Sequence, residues 1–253
     1  MKSSNKILLL AMLLFCFASI MYANPINCSA TPSDSACAPT LTMTVQLGNG
    51  QTQTITSIGT PTFSSGSWNV NFGSESTAAF VFTGGQLVTN SDPFVGFSFG
   101  VINTLKTNET FSYDYQTPFS GGPYGYLQSV FGDVLIDTNF SGTSKVTPVG
   151  GYVMETYVNH VLLSQVDIGK GCTTPALVYV CTSPDDGSIG PLHYTSPVSG
   201  ILEVKGSFTL TPGAQYSLTG RSALLPIPEP GTLVLLGSGL IGMAGIARRR
   251  MSK

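Results

Sequence analysis

The sequence predicts an all-β fold, an antiparallel β-sandwich of the immunoglobulin-like or jelly-roll-like kind. Three observations predict it: apolar and polar residues alternate in several short runs, turn-forming residues separate those runs, and the body of the chain is rich in Gly, Thr, Ser and aromatic residues. Alternation with a period of two is typical of half-buried strands. Many short strands with frequent turns favour a sandwich or barrel over βαβ units.

The clearest predicted strand covers residues 41–47, where apolar and polar residues alternate throughout. The same pattern recurs over residues 68–72, 111–115 and 208–210. Residues 152–168 contain neither Gly nor Pro and are rich in β-branched residues and Tyr, so this segment is also predicted to be extended.

Turn signals separate the predicted strands. They are Gly48-Asn49-Gly50, Gly84-Gly85, Ser91-Asp92-Pro93, Ser120-Gly121-Gly122-Pro123, Asp185-Asp186-Gly187 and Thr211-Pro212-Gly213. No internal repeat or interdomain linker interrupts them, so residues 24–225 are predicted to form one domain.

The first 23 residues have the layout of a secretory signal peptide. Lys2 and Lys6 give a basic start, residues 7–17 are apolar, and Ala23 is a small residue at the predicted cleavage site. The sequence therefore predicts a secreted chain and export through a secretion translocon.

Four cysteines follow the predicted signal peptide, in two local pairs: Cys28 with Cys37, and Cys172 with Cys181. An oxidising compartment favours disulfides, and these two pairings are the simplest of three possible connectivities. Neither pair has the spacing of a zinc site or a nearby histidine, so we predict no metal and no cofactor.

The predicted body is acidic. Residues 24–226 contain five Lys and Arg against twelve Asp and Glu, a net charge of −7, whereas the whole chain has a net charge of −2. Phosphate binding needs a basic face, so the composition argues against nucleic acid as a partner.

Candidate catalytic groups are few. The motifs of serine hydrolases, zinc proteases and P-loop NTPases do not occur, and the two histidines, His160 and His193, are interpreted as exposed or hydrogen-bonded side chains. Asp133 and Asp137 would share one face of a strand but lie roughly 13 Å apart, too far for a glycosidase pair. We predict no catalytic residues and no enzyme activity, and a secreted hydrolase with an unrecognised site stays as an alternative.

Aromatic residues offer a second alternative, a carbohydrate-binding module. Phe111, Tyr113 and Tyr115 are predicted to be core residues on one face of a strand. Tyr124 and Tyr126 follow the Gly-Gly-Pro turn, and turns usually lie on the surface, so these two are candidate ligand contacts that could stack on sugar rings.

The last residues of the chain combine three elements. The tripeptide Pro228-Glu229-Pro230 is followed by an uncharged stretch, which predicts a transmembrane helix over about residues 231–247, and then by Arg248, Arg249 and Arg250. The basic residues would stay in the cytoplasm and leave the body outside. The pattern fits either a permanent anchor or a sorting signal.

The order and position of these elements resemble the PEP-CTERM sorting domain of Gram-negative bacteria. The resemblance implies that residues 226–253 are a sorting signal, read by an exosortase at Pro228, Glu229 and Pro230. It also implies transient anchoring in the inner membrane, followed by release to the cell surface or extracellular matrix. The resemblance further suggests a structural or adhesive role associated with exopolysaccharide in a biofilm matrix.

Overall fold

The computed structural model describes residues 33–90, 93–120, 124–140, 142–167, 172–174, 180–181, 187–193 and 199–226. In these ranges the chain forms strands and two 3₁₀ turns, Ser35–Cys37 and Val149–Gly151, which confirms the all-β prediction. The predicted signal peptide and the predicted transmembrane helix lie outside the described residues. Within those residues no helix is long and apolar enough to cross a membrane.

The described residues form seventeen strands. In chain order they are β1 (Thr40–Gln46), β2 (Thr52–Thr54), β3 (Thr62–Ser64), β4 (Ser67–Phe72), β5 (Glu75–Ser76), β6 (Phe80–Asn90), β7 (Phe94–Asn103), β8 (Glu109–Ser120), β9 (Tyr124–Asp137), β10 (Lys145–Pro148), β11 (Tyr152–Val158), β12 (Val161–Asp167), β13 (Cys172–Thr173), β14 (Val180–Cys181), β15 (Gly187–His193), β16 (Ser199–Leu210) and β17 (Ala214–Pro226).

The strands make two antiparallel sheets. Sheet A has the order β12-β11-β16-β8-β1-β2, with β10 beside β16 and β13 beside β10. Sheet B has the order β14-β9-β17-β7-β6-β4-β3, with β15 beside β9 and β5 beside β6. The long strands β8 and β16 form the middle of sheet A, and β9 and β17 are neighbours in sheet B.

Aromatic rings fill the space between the sheets. Tyr115 of sheet A stacks on Phe72 of sheet B with ring centroids 6.2 Å apart, and Tyr113 lies 5.1 Å from Phe97. Such ring pairs add to the free energy gained from burial alone. Phe111, Tyr113 and Tyr115 are all buried, which confirms their prediction as core residues and establishes the sandwich arrangement.

A buried cluster of hydroxyl groups also joins the sheets. Thr156 of sheet A lies 2.6 Å from the hydroxyl oxygen of Ser222 in sheet B and 3.2 Å from that of Ser129. Ser129 and Ser222 are 2.9 Å apart, and Ser164 donates to Ser129 at 3.3 Å. Because buried hydroxyls are costly without partners, this mutual bonding fixes how the two sheets align.

The segment predicted as extended over residues 152–168 is extended in its described part, residues 152–167, but it is not one strand. Asn159 and His160 have positive φ values of 50° and 63° and connect β11 to β12 in a two-residue hairpin, with Val158 opposite Val161. Two consecutive positive φ values are typical of a type I′ turn. The Gly84-Gly85 turn prediction is also corrected, because these residues lie inside β6 beside a β-bulge.

Cys37 and Cys172 are each disulfide-bonded. Cys28 and the side chain of Cys181 lie outside the described part of the chain, so the pairings of Cys28 with Cys37 and of Cys172 with Cys181 stay predictions.

Candidate functional site

The predicted sorting residues, Pro228, Glu229, Pro230, Arg248, Arg249 and Arg250, lie outside the described residues. The structure shows the strand to which they are joined. β17 lies between β9 and β7, and its last residue, Pro226, lies opposite Tyr124 at the start of β9. Only Ile227 separates this strand from Pro228, so the tripeptide follows a central strand of the domain directly.

A groove on the outer face of sheet A is the second candidate site. It has a volume of about 290 Å³, and we call it the polar groove. Its side chains are polar or charged along β1, β8, β11 and β16, with an apolar contribution from the 3₁₀ turn. They include Thr42, Thr44, Ser112, Asp114, Val149, Tyr152, Glu155, Lys205 and Ser207.

Strand register brings the charged groups of the polar groove together. Asp114 of β8 lies opposite Lys205 of β16, and Lys205 lies opposite Glu155 of β11. Side chains at paired positions of adjacent strands share one face of the sheet. Two carboxylates therefore flank one ammonium group in a single row.

Lys205 is already paired with Glu203. Its Nζ donates to Glu203 Oε1 at 3.1 Å and lies 3.9 Å from the ring centroid of Tyr157. Burial alone would lower the pKa of Lys205, but the hydrogen bond and charge of Glu203 outweigh this and raise it. The Glu203 side chain is only 4% exposed, and its two oxygens contact Lys205 and, at 3.3 Å, His160 Nδ1.

Asp114 and Glu155 form no ion pair with a described residue. Asp114 accepts only long hydrogen bonds from Gln116 Nε2, at 3.3 and 3.4 Å. Burial, followed by the nearby charge of Glu203, raises its pKa. Glu155 accepts from Gln165 Nε2 at 2.8 Å and from the Tyr157 hydroxyl at 3.0 Å. The polar groove therefore presents carboxylate acceptors suited to ligand hydroxyl or ammonium donors.

The two candidate ligand tyrosines are separated by the structure. Tyr124 is only 3% exposed, and its hydroxyl donates to the Ser120 carbonyl oxygen at 2.8 Å. Because its ring is buried, Tyr124 cannot stack on a ligand. The prediction that Tyr124 is a ligand contact is therefore corrected. Tyr126 is partly exposed, and its ring lies edge-on to the His193 ring at 5.6 Å.

The carboxylates considered for hydrolysis are engaged in the fold. Asp133 is buried and accepts a hydrogen bond from the Tyr216 hydroxyl. Asp137 is also buried and accepts from the backbone N–H groups of Asn139 and Gly142. Within the described residues, no cluster of three or more His, Cys, Asp or Glu side chains is arranged to hold a metal ion.

Sequence reasoning missed the charged row of the polar groove. Its signal was present in the alternation that predicted the strands: Asp114 lies between Tyr113 and Tyr115, and Lys205 follows Val204. Each charged residue is therefore on the face opposite the core. What the alternation does not reveal is that β8, β16 and β11 are neighbours.

Comparison with known protein families identifies one segment of the chain. Residues 226–250 match the PEP-CTERM protein-sorting motif. The chain carries a PEP-CTERM sorting motif. This confirms the resemblance based on Pro228-Glu229-Pro230 and the basic end. The motif covers the end of the chain only, and no curated protein matches the sequence closely.

Solved structures give weak likenesses to the body. A CBM61 protein in complex with β-1,4-galactotriose shares 8% identity at a TM-score of 0.29, covering 64% of this chain and 90% of that one. A structure of carbohydrate-binding modules from the β-sandwich superfamily shares 11% identity at a TM-score of 0.24, covering 74% of this chain and 85% of that one. The enzymatically active domain of bacteriophage CBA120 tailspike protein 4 shares 11% identity at a TM-score of 0.26, covering 64% of this chain and 20% of that one. These scores are too low to carry a fold or a ligand over to this chain.

Proposed function

We propose that this chain is an exported protein of a Gram-negative bacterium, tethered transiently in the inner membrane and processed by an exosortase for the cell surface or extracellular matrix. The PEP-CTERM motif at residues 226–250 carries the proposal. Prolines on both sides of Glu229 disfavour helix, so the sequence predicts an extended tripeptide between the body and the apolar stretch. An extended segment is the conformation that fits a protease cleft.

Intact mass tests this proposal. The full chain is expressed in a Gram-negative host with an exosortase and in the same host without it, and the protein is recovered from membrane, matrix and medium. With the exosortase, the expected mass lacks residues 1–23 and the C-terminal span. Without it, the span is retained.

A substitution shows whether the tripeptide is what the enzyme reads. Glu229→Ala is expected to accumulate the membrane-bound form, whereas Pro212→Ala, which changes a proline in the turn between β16 and β17, is expected to be processed normally. A wild-type protein that keeps residues 232–253 in the exosortase host would be permanently anchored, and the processing proposal would fail.

For the body we propose a structural or adhesive role associated with exopolysaccharide, without enzyme activity. Asp133 and Asp137 support the absence of hydrolysis because both carboxylates are buried and engaged in hydrogen bonds within the fold. Incubation of the protein with matrix polysaccharide should release no new reducing ends. Release that persists in an Asp133→Asn, Asp137→Asn variant would show a different catalytic site.

The second candidate function is carbohydrate binding at the polar groove. The observation that favours it is the pair of carboxylates, Asp114 and Glu155, that have no ion-pair partner among the described residues and can accept hydrogen bonds from sugar hydroxyls. Tyr152, a partly buried residue of the same groove, offers a ring. The second candidate predicts weaker retention on a polysaccharide panel for Asp114→Asn and Glu155→Gln.

Gln86→Ala is the matched control for that experiment, because Gln86 is an exposed polar residue of β6 in the other sheet. Affinity electrophoresis measures retention. Equal retention of all variants on every polysaccharide that binds wild type would remove the polar groove as the binding site.

A further inference from the structure

We propose that the end of the sandwich at which β17 finishes rests on the membrane interface while the C-terminal segment is inserted. We call it the exit end. The inference deepens the proposed function, on which it rests, by naming the surface that meets the phospholipid headgroups of the tethering bilayer.

Several strands meet at the exit end. In sheet B, Pro226 lies opposite Tyr124, and His193 at the end of β15 lies opposite Tyr126. In sheet A, β8 ends at Ser120, opposite Ser199 at the start of β16. The hydrogen bond from Tyr124 to Ser120 joins the two sheets at this end.

The β11–β12 hairpin belongs to the same end. Val158, the last residue of β11, lies opposite Leu202 near the start of β16, and Asn159 exchanges hydrogen bonds with Ile201. β12 in turn lies against β15. Val161, Leu162, Leu192 and both histidines therefore lie at or near the exit end.

The length of chain after β17 brings this end to the bilayer. Five residues separate Pro226 from Thr232, which lies at the start of the predicted transmembrane helix. Six residue steps reach at most about 20 Å when fully extended, and the headgroup layer occupies roughly 5–8 Å of that distance on each side of the hydrocarbon core. A tether this short cannot turn the opposite end of the sandwich toward the membrane.

The exit end exposes apolar side chains. Val161 is 57% exposed, Leu162 40% and Leu192 38%, and these are three of the six large hydrophobic residues exposed among the described side chains. The partly exposed ring of Tyr126 and the exposed ring of His193 lie beside them. Tyrosine and aliphatic residues at one surface are suited to the boundary between headgroups and acyl chains.

Charge at the exit end is compatible with an anionic bilayer although the body as a whole is acidic. Along the strands that meet there, the first described carboxylate is Glu203, which is buried and bonded to Lys205. The exposed Asp34 caps the 3₁₀ turn before β1, which contacts β8, and is the one described exposed carboxylate on this side. Asp92 lies outside the described residues. Repulsion between the anionic headgroups and the negative body therefore favours the orientation in which the exit end faces the bilayer over one in which the other carboxylates of the body face it.

Depth-dependent fluorescence quenching tests the orientation with the full chain. The single tryptophan, Trp68, is replaced by Phe, and a new tryptophan is introduced as Leu192→Trp at the exit end. The matched control is Phe140→Trp in the same background, because Phe140 is 70% exposed and follows the opposite end of β9. Each protein is reconstituted in phosphatidylethanolamine and phosphatidylglycerol vesicles that contain acyl-chain-brominated phosphatidylcholine.

The expected result is loss of most emission from the residue at position 192 and unchanged emission from the residue at 140. Flotation of the vesicles reports tethering separately. Protein that floats with neither residue quenched would overturn the docking while leaving the anchor intact. Protein that does not float would overturn the anchor and the docking together.

Hydrogen exchange of the wild-type chain provides a second measurement that needs no substitution. Amides of residues 158–162 and of Leu192 and His193 should exchange more slowly in vesicles than in detergent, whereas amides of 138–140 should not change. Equal exchange at both ends in the two media would contradict the proposal.

Discussion

The Tyr113 hydroxyl donates a hydrogen bond of 2.8 Å to the carbonyl oxygen of Val153. A bulge in β11 between Tyr152 and Met154 displaces Val153 from regular pairing. Gly206 makes the approach possible, because a Cβ at that position would lie 1.9 Å from the same carbonyl oxygen and 2.8 Å from the Tyr113 ring. The core tyrosine thus satisfies a backbone group that the sheet leaves free.

Gly206→Ala should therefore destabilise the fold. The added methyl group meets backbone, which cannot move without disturbing β11, and overpacking of this kind lowers the free energy of unfolding by about 1–3 kcal/mol. Urea unfolding measures it. Gly132→Ala is the control, because its Cβ would make only an ordinary contact of 3.5 Å with Thr219. Equal stability of the two variants would show that β11 adapts freely.

The hydroxyl cluster predicts coupling between the sheets. Thr156→Val and Ser222→Ala should each lower the free energy of unfolding by about 1–2 kcal/mol, because each leaves buried partners with fewer hydrogen bonds. In the double variant, the loss in free energy of unfolding should be smaller than the sum of the two single losses by about 0.5 kcal/mol or more. The reason is that the 2.6 Å contact between Thr156 and Ser222 can be lost only once.

A surface hydroxyl pair controls for this effect. Ser112 and Ser207 lie 2.9 Å apart within sheet A and are partly exposed, so water replaces the lost partner. Ser112→Ala should change stability less than Thr156→Val. Additive costs for Thr156 and Ser222 would mean that the two hydroxyls act independently.

Asp114 should make stability depend on pH. Burial and then the charge of Glu203 raise the pKa of its carboxyl in the folded state. Its contribution to stability is therefore fully present below the unfolded pKa of about 3.9 and is lost as pH rises through the higher folded value. Asp114→Asn should raise the free energy of unfolding relative to wild type at pH 7, and the gain should vanish near pH 3.

Glu75 supplies a control of opposite sign. Burial alone would raise the pKa of its carboxyl, but hydrogen bonds from the backbone and hydroxyl groups of Thr56 and Ser57 lower it overall. Its contribution is present above the unfolded pKa and is lost as pH falls through the folded value. Glu75→Gln should therefore lower stability at neutral pH, with the deficit shrinking in acid. Two variants with the same pH profile would contradict both assignments.

The alternation in the sequence was enough to predict where core faces lie. Phe111, Tyr113 and Tyr115 are buried as predicted because the period of two follows from strand geometry itself. The same reasoning placed Tyr124 after a surface turn without recognising that the ring folds back onto Phe119, 5.7 Å away. Whether a residue just after a turn faces the core or the solvent is decided by the strand that begins there.

The pairing of strands that are distant in the chain could not be predicted from the sequence. Asp114, Glu155 and Lys205 come from three strands, and their meeting depends on β16 lying between β8 and β11. Local pattern contains no information on that order, because any strand with a buried face could occupy the middle of the sheet. The sorting signal was predictable for the opposite reason, since its three elements are adjacent in the chain.

The hairpin at Asn159 and His160 was missed because no Gly or Pro marks it, and this gives the last prediction. A β-carbon in the left-handed region costs roughly 1–2 kcal/mol, and the second position of a type I′ turn favours Gly. His160→Gly should raise the free energy of unfolding by about 0.5 kcal/mol. The contact that it removes, between His160 Nδ1 and Glu203 at 3.3 Å, contributes little because the His160 side chain is 70% exposed.

Gly200→Ala should lower the free energy of unfolding, because its Cβ would lie 2.3 Å from Asn159 Oδ1, the atom that accepts from the Ile201 amide. Urea midpoints distinguish the two variants, and a destabilised His160→Gly protein would show that the Glu203 contact outweighs the relief of the backbone.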